Sequence, residues 1–170
     1  LQQKAEQDAL TKVLNKERIS QYLQEALDRH CSENTEMAVL FLDIDDFKIF
    51  NDKYGHHVGD QVLLFLTSLL TRESEGTVGR VGGDEFLVII EKPDNVRFLD
   101  QCLRQIEEKA GSSFVIRGSD CCLPIYCCIG AVRIDFAVME GETLSAEKAI
   151  GLADSAMYRV KNNGKNGHLI

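Results

Sequence analysis

The segment Arg80-Val81-Gly82-Gly83-Asp84-Glu85-Phe86-Leu87-Val88-Ile89-Ile90 limits the architecture of this chain more than any other stretch. A short run, Thr77 to Val81, leads into two glycines and two acids, and the uninterrupted apolar run Phe86 to Ile90 follows. Runs of this kind, rich in Val, Ile and Phe, read as buried strands, and a Gly-containing link between two of them reads as a β-hairpin. A hairpin excludes a purely parallel sheet. The glycines let backbone come close to a bound group at the tip, and paired carboxylates beside them suit a divalent cation with its phosphate ligand.

The rest of the chain supplies what such a hairpin must pack against. Asn15 is placed to cap a helix over Lys16–His30, with Ile19, Leu23, Ala26 and Leu27 on its apolar face. Met37–Leu42 is a fully apolar strand that ends in Asp43-Ile44-Asp45-Asp46. A short helix over Phe47–Lys53 breaks at Gly55, and a longer one starts at His56 with Val58, Val62, Leu63, Leu66, Leu69 and Leu70 buried. Pro93 opens a helix that runs to about Lys109. Phe114–Ile116 reads as a short strand, Ile125–Ile134 as a longer one, and Leu144–Val160 as a helix with Ala149, Leu152, Ala153, Ala156, Met157 and Val160 inward. Leu169-Ile170 fits a final edge strand, and Leu1–Asp8 fits the end of a helix or linker that began upstream. Interleaved helices and strands around a hairpin predict an α/β domain with a mixed sheet covered by helices.

Composition narrows the function classes. With 170 residues, 44% of them apolar, the chain suits one domain with a substantial core. Its apolar runs fall far short of the roughly 20 residues of a membrane span, and the polar start has no signal-peptide pattern. A net charge of -8 argues against a general nucleic-acid grip, while leaving room for a nucleotide bridged by a cation. The cysteines include the adjacent pairs Cys121-Cys122 and Cys127-Cys128 but no Cys-x-x-Cys, which reads as reduced, structural thiols in a cytoplasmic protein.

Three acids where a buried strand emerges repel one another and lose solvation unless something neutralises them. Asp43, Asp45 and Asp46 are therefore candidates for a cation site that Asp84 and Glu85 complete; solvated turn residues are the competing reading. Lys48 is within reach of a phosphate. An Asn and an Asp such as Asn51 and Asp60 can together read a guanine edge, although each also fits an ordinary helix-end role. Lys161 and Lys165, bracketing Asn162-Asn163-Gly164, fit a helix C-terminus on dipole grounds alone.

Taken together, the motifs resemble the GGDEF domains of diguanylate cyclases over nearly the whole chain. Asp8–Asn15 is similar to D-x-L-T-x-L-x-N, and Asp43–Asp60 to D-x-D-x-F-K-x-x-N-D-x-x-G-H-x-x-G-D. Gly82–Phe86 is the signature itself, and Ala153–Tyr158 with Lys161, Gly164, Lys165 and Asn166 resembles the closing motif. The resemblance implies a ferredoxin-like palm core of nucleotidyl-cyclase type over residues 9–170, with 1–8 belonging to an upstream segment. It implies condensation of two GTP into cyclic di-GMP with release of pyrophosphate. Asp43, the Ile44 carbonyl and Asp84 would hold Mg²⁺, two ions per site, with Mn²⁺ as a substitute. Asn51 and Asp60 would read guanine, with Phe47 and His56 nearby. Lys48, Lys161, Lys165 and the turn at Asp46 would hold the triphosphate beside Gly82 and Gly83. Glu85 would be an additional acid, and His56 would pack the floor of the site. The partners implied are GTP, a second copy forming a two-fold dimer, and an upstream sensory domain. Contact with nucleic acid or membrane is not implied.

Two departures stand out. The family's Arg-x-x-Asp product site would fall on Glu73 and Gly76, and the nearest candidate, Arg72 with Glu75, is displaced by one residue. Val81 and Cys127-Cys128 replace an aromatic and a Thr/Val-Ser-like pair. The rival readings are a silent module that binds GTP or a cyclic dinucleotide without turnover, and a cyclase with altered base choice.

Overall fold

A computed structural model describes residues 5–170. In chain order its elements are α1 (Lys16–Glu33), β1 (Glu36–Ile44), α2 (Phe47–Tyr54), α3 (His56–Ser74), β2 (Thr77–Arg80), β3 (Glu85–Ile90), α4 (Pro93–Arg97), α5 (Leu99–Ser112), β4 (Cys127–Asp135), α6 (Ala146–Asn162) and β5 (Gly167–Leu169). The sheet order is β2-β3-β1-β4-β5, with every pairing antiparallel except β4 with β5. The core is thus the β-α-β-β-α-β arrangement of ferredoxin-like domains.

Period-2 alternation divides each central strand between two cores. Ala38, Leu40, Leu42, Phe86, Val88, Ile90, Cys127 and Ile129 pack on α3, α4 and α5. Met37, Val39, Phe41, Leu87, Ile89 and Cys128 pack on α1 and α6. Asp43 and Glu85 continue this second series, so the fold aims both acids at the α6 side. At Gly130 an added Cβ would lie 2.0 Å from the Ala153 carbonyl oxygen and 2.2 Å from the Met157 nitrogen. That close approach seats α6 directly on β4. Asn15 and Ser145 cap α1 and α6, accepting from the Arg18 and Lys148 N–H groups at 3.0 and 3.2 Å.

Several boundaries differ from the sequence expectation. The helix from Pro93 breaks at Phe98, whose φ of -104° and ψ of 41° are not helical. Phe114–Ile116 makes only an isolated bridge, Val115 with Cys122, since its neighbours are loop. Leu152 is 46% exposed and faces away from the core. The last strand is Gly167–Leu169, laid parallel on β4. Of the helix end expected over 1–8, residues 1–4 lie outside the described residues. Residues 5–8 are non-helical, with Gln7 bridging to Leu14.

Candidate active site

The C-terminal end of β1, the β2–β3 tip, the start of β4 and the end of α6 all meet at one end of the sheet. Register places Asp43 opposite Glu85 on one side and Cys128 on the other. The Ile44 N–H donates to the Asp84 carbonyl oxygen at 3.2 Å, which locks the hairpin tip to the acidic turn. Arg80 steadies the tip from behind. Its guanidinium donates to the carbonyls of Gly82, at 3.2 Å, and Gly83, at 2.7 Å, and pairs with Asp8 at 3.2 Å. Burial raises the pKa of Asp8, but bonds from Thr11 and Arg80 outweigh it and hold the carboxyl below its ordinary value.

A cleft of about 400 Å³ opens here, lined by Asp43, Ile44, Asp45, Asp46, Phe47, Lys48, Ile49, Asp84, Lys161 and Lys165. It brings together most of the residues expected from sequence. A larger hollow of about 890 Å³, between residues 5–9 and the start of α1, holds none of them. Lys161 is hydrogen-bonded to Asp43, and Lys165 pairs with Asp46 at 2.6 Å. Asp46 is left-handed, with φ of 53°, and its side chain makes no cap, so the first N–H groups of α2 have no side chain over them. Uncapped amides at a helix start favour an anion.

The acids carry the sharpest electrostatic signal. Burial, then a hydrogen bond with Asp43 and that residue's charge, pushes the Asp84 carboxyl up to about 6. Burial, then the charges of Asp43 and of Asp154 on α6, raises Glu85 as well. Asp43 Oδ1 is buried without a hydrogen-bond partner among the described residues. A proton shared with Asp84, or a cation, satisfies it. Among the described residues no cluster of three His, Cys, Asp or Glu side chains forms a complete cage. Two carboxylates and a carbonyl fit a hard divalent cation that takes its remaining ligands from phosphate and water.

Other expected residues lie outside this cleft. Asn51 on α2 sits over Gly59 on α3: a Cβ there would lie 1.8 Å from Asn51 Oδ1, which is itself buried without a partner. Asp60, the residue after Gly59 on α3, is exposed. His56 is exposed at the start of α3 and does not pack beneath the site. Gly82 and Gly83 form the tip, and a Cβ on Gly82 would meet Glu85 Oε1 at 2.4 Å. Arg72 and Glu75 are spent on other partners, Arg72 on Glu73 at 3.4 Å and Glu75 on Lys92 at 2.7 Å. The contacts of Lys161 with Asp43, and of Asp45 with Cys128 at 2.8 Å, were not expected from sequence.

Fold and site together define an α/β domain of nucleotidyl-cyclase type, with an acid pair, uncapped helix amides and three lysines at one end of a ferredoxin-like sheet. Residues 5–167 match the model of the family described as "Diguanylate cyclase, GGDEF domain", and the chain belongs to that family. It is 30% identical to the bifunctional diguanylate cyclase/cyclic di-GMP phosphodiesterase MucR of Pseudomonas aeruginosa, over 95% of this chain and 23% of that protein. It is 31% identical to the diguanylate cyclase DgcS of Shewanella oneidensis, over 94% of this chain and 50% of that protein. The chain thus spans between about a quarter and a half of these relatives. Among solved structures, the GGDEF domain of DgcB from Caulobacter crescentus in complex with c-di-GMP superposes with a TM-score of 0.84 at 27% identity, covering 99% of this chain and 94% of that one. No helix among the described residues is long and apolar enough to cross a membrane.

Proposed function

We propose that this domain condenses two GTP into cyclic di-GMP and pyrophosphate, working as a two-fold dimer in bacterial second-messenger signalling. The observation that carries the reading is the buried, partnerless Asp43 Oδ1 beside an Asp84 carboxyl pushed up to about 6, in a cleft that also holds Lys161, Lys165 and the start of α2. Such a pair is unfavourable in an empty site and becomes favourable around a cation carrying phosphate.

Asp43, Asp84 and the Ile44 carbonyl would hold Mg²⁺, two ions per site, with Mn²⁺ as a substitute. Bound there, the metal would supply charge neutralisation at the α-phosphate and a lowered pKa for the attacking 3′-hydroxyl. Lys48, Lys161, Lys165 and the α2 amides hold the triphosphate, and Asn51 and Asp60 read guanine. Glu85 is an additional acid beside Asp43. One cleft holds one GTP, so the attacking hydroxyl comes from the cleft of a second copy. An upstream sensory region sets how the two copies face each other, in keeping with the greater length of the relatives.

The test is mass spectrometry of the chain, dimerised through a fused zipper, after incubation with GTP and Mg²⁺. Cyclic di-GMP is the expected product. GTP binding with no product at high protein concentration would replace this reading with that of a silent nucleotide-binding module.

A further inference from the structure

Asp45 lies between the two ends of the acidic turn, yet its carboxylate is committed to the protein. Oδ1 accepts from the Cys128 thiol at 2.8 Å, and Oδ2 accepts from the Asn166 N–H at 2.8 Å. Its own N–H donates to the Tyr126 carbonyl at 2.8 Å. Asp45 therefore fastens the loop after α6 to the start of β4. That loop needs fastening: Gly164, Lys165 and Asn166 have φ of 99°, 61° and 42°, three successive left-handed residues of which two carry a Cβ. Lys165, in the middle of it, reaches the cleft and the Asp46 carboxylate at 2.6 Å.

Cys128 is wholly buried on β4, opposite Asp43 in register. Burial and the bond to Asp45 push its thiol up to about 12, so the group stays protonated and remains a donor. Cys127 faces the other core and takes no part. If the thiol is lost, Asp45 Oδ1 has no partner, and the carboxylate is less firmly held on the Asn166 N–H. The loop that carries Lys165 would then lose its tie to the start of β4.

We propose that Cys128 is a positioning residue for the nucleotide's terminal phosphates, holding the Asp45 carboxylate on the Asn166 N–H and so keeping the Gly164–Asn166 loop set for an anion. This rests on the cyclase reading and extends it to a residue outside the expected site set.

The experiment compares binding of a non-hydrolysable GTP analogue and of GMP, each with Mg²⁺, to the wild-type chain, Cys128→Ala, Cys128→Ser and Asp45→Ala. In Cys128→Ala the triphosphate should bind about tenfold more weakly, the order expected for one lost hydrogen bond to a charged group. GMP affinity should stay within about twofold, since the base contacts are untouched. Cys128→Ser, which keeps a donor, should recover most of the loss. Asp45→Ala leaves the β4 packing intact and should weaken binding of the triphosphate alone, whether or not Cys128→Ala folds. Unchanged triphosphate affinity in Cys128→Ala or in Asp45→Ala, or a loss shared equally by GMP, overturns the inference while the cyclase reading stands. Failure of the wild-type chain to bind the triphosphate overturns both.

Discussion

The Lys161 ammonium rests on the Asp43 carboxylate, joining the end of α6 to the end of β1 beside the proposed cation site. Asp43 is buried, so removal of its partner leaves a charge without compensation. Lys161→Ala should cost about 3 kcal/mol of stability in the presence of a chelator. Saturating Mg²⁺ should return much of that by taking the vacated place beside Asp43. Urea titrations with and without Mg²⁺ measure both quantities. An equal loss in the two conditions would show that Lys161 and the cation do not share a site.

Asp84 gives the opposite sign. Its folded-state pKa, about 6, lies above the ordinary 3.8, so the folded chain keeps the proton longer than the unfolded one. Metal-free stability should therefore fall as pH rises from about 4 to about 6 through this group. Asp84→Asn should remove that slope and, near neutral pH, stabilise the metal-free chain by about 1 kcal/mol, the shift being discounted for the part of the side chain left in water. The same variant should make no cyclic di-GMP. Denaturation series across pH, paired with product assays, check both; a destabilised variant would refute the repulsion argument.

Arg80 ties the Gly82 and Gly83 carbonyls to Asp8 with one planar group. Arg80→Ala should cost about 2 kcal/mol and lower turnover at least about tenfold, because the tip that carries Asp84 loses its brace. Arg80→Lys should rescue little, since an ammonium cannot span both partners. Hydrogen exchange at the amides of residues 82–84 should accelerate in both variants. Protection at the wild-type level in Arg80→Ala would contradict the brace.

His168 on β5 gives a second pH response, set by Glu107 and Asp100. Its Nδ1 and Nε2 lie 2.7 Å from Glu107 and Asp100, so both ring nitrogens donate and the imidazolium is the fitting form. Burial lowers its pKa, but bonds to Asp100 and Glu107 outweigh that and hold it above the ordinary 6.5. The stabilisation is complete below about 6.5 and is lost as pH rises through the folded-state value. His168→Gln should flatten stability over that window. Histidine NMR titration and denaturation at several pH values test this, and an unchanged slope in the variant would exclude His168 as its source.

Much of this was legible in the residues. The hairpin, the apolar β1 and the two buried helix stripes follow from periodicity, because each central strand and packed helix repeats its pattern several times. Phe98 was not legible as a break: Val96, Leu99, Leu103 and Ile106 face one core from both α4 and α5, so the apolar spacing runs straight across it. Gly167–Leu169 is too short for any period to register. The acids at the end of β1 could be recognised, but the pairing of Asp45 with Cys128 depends on strand register between residues far apart in the chain. The Asn51–Gly59 contact likewise depends on how α2 folds back on α3, which spacing alone does not fix.

The two outer strands are short, β2 with four residues and β5 with three. The free side of β2 is already occupied, since the Leu14 N–H donates to Val78 and the Arg80 N–H donates to Leu14. Little open edge remains on that side for another molecule's strand, which guards against runaway stacking into fibrils. A second copy of the domain is thereby kept from extending the sheet at β2.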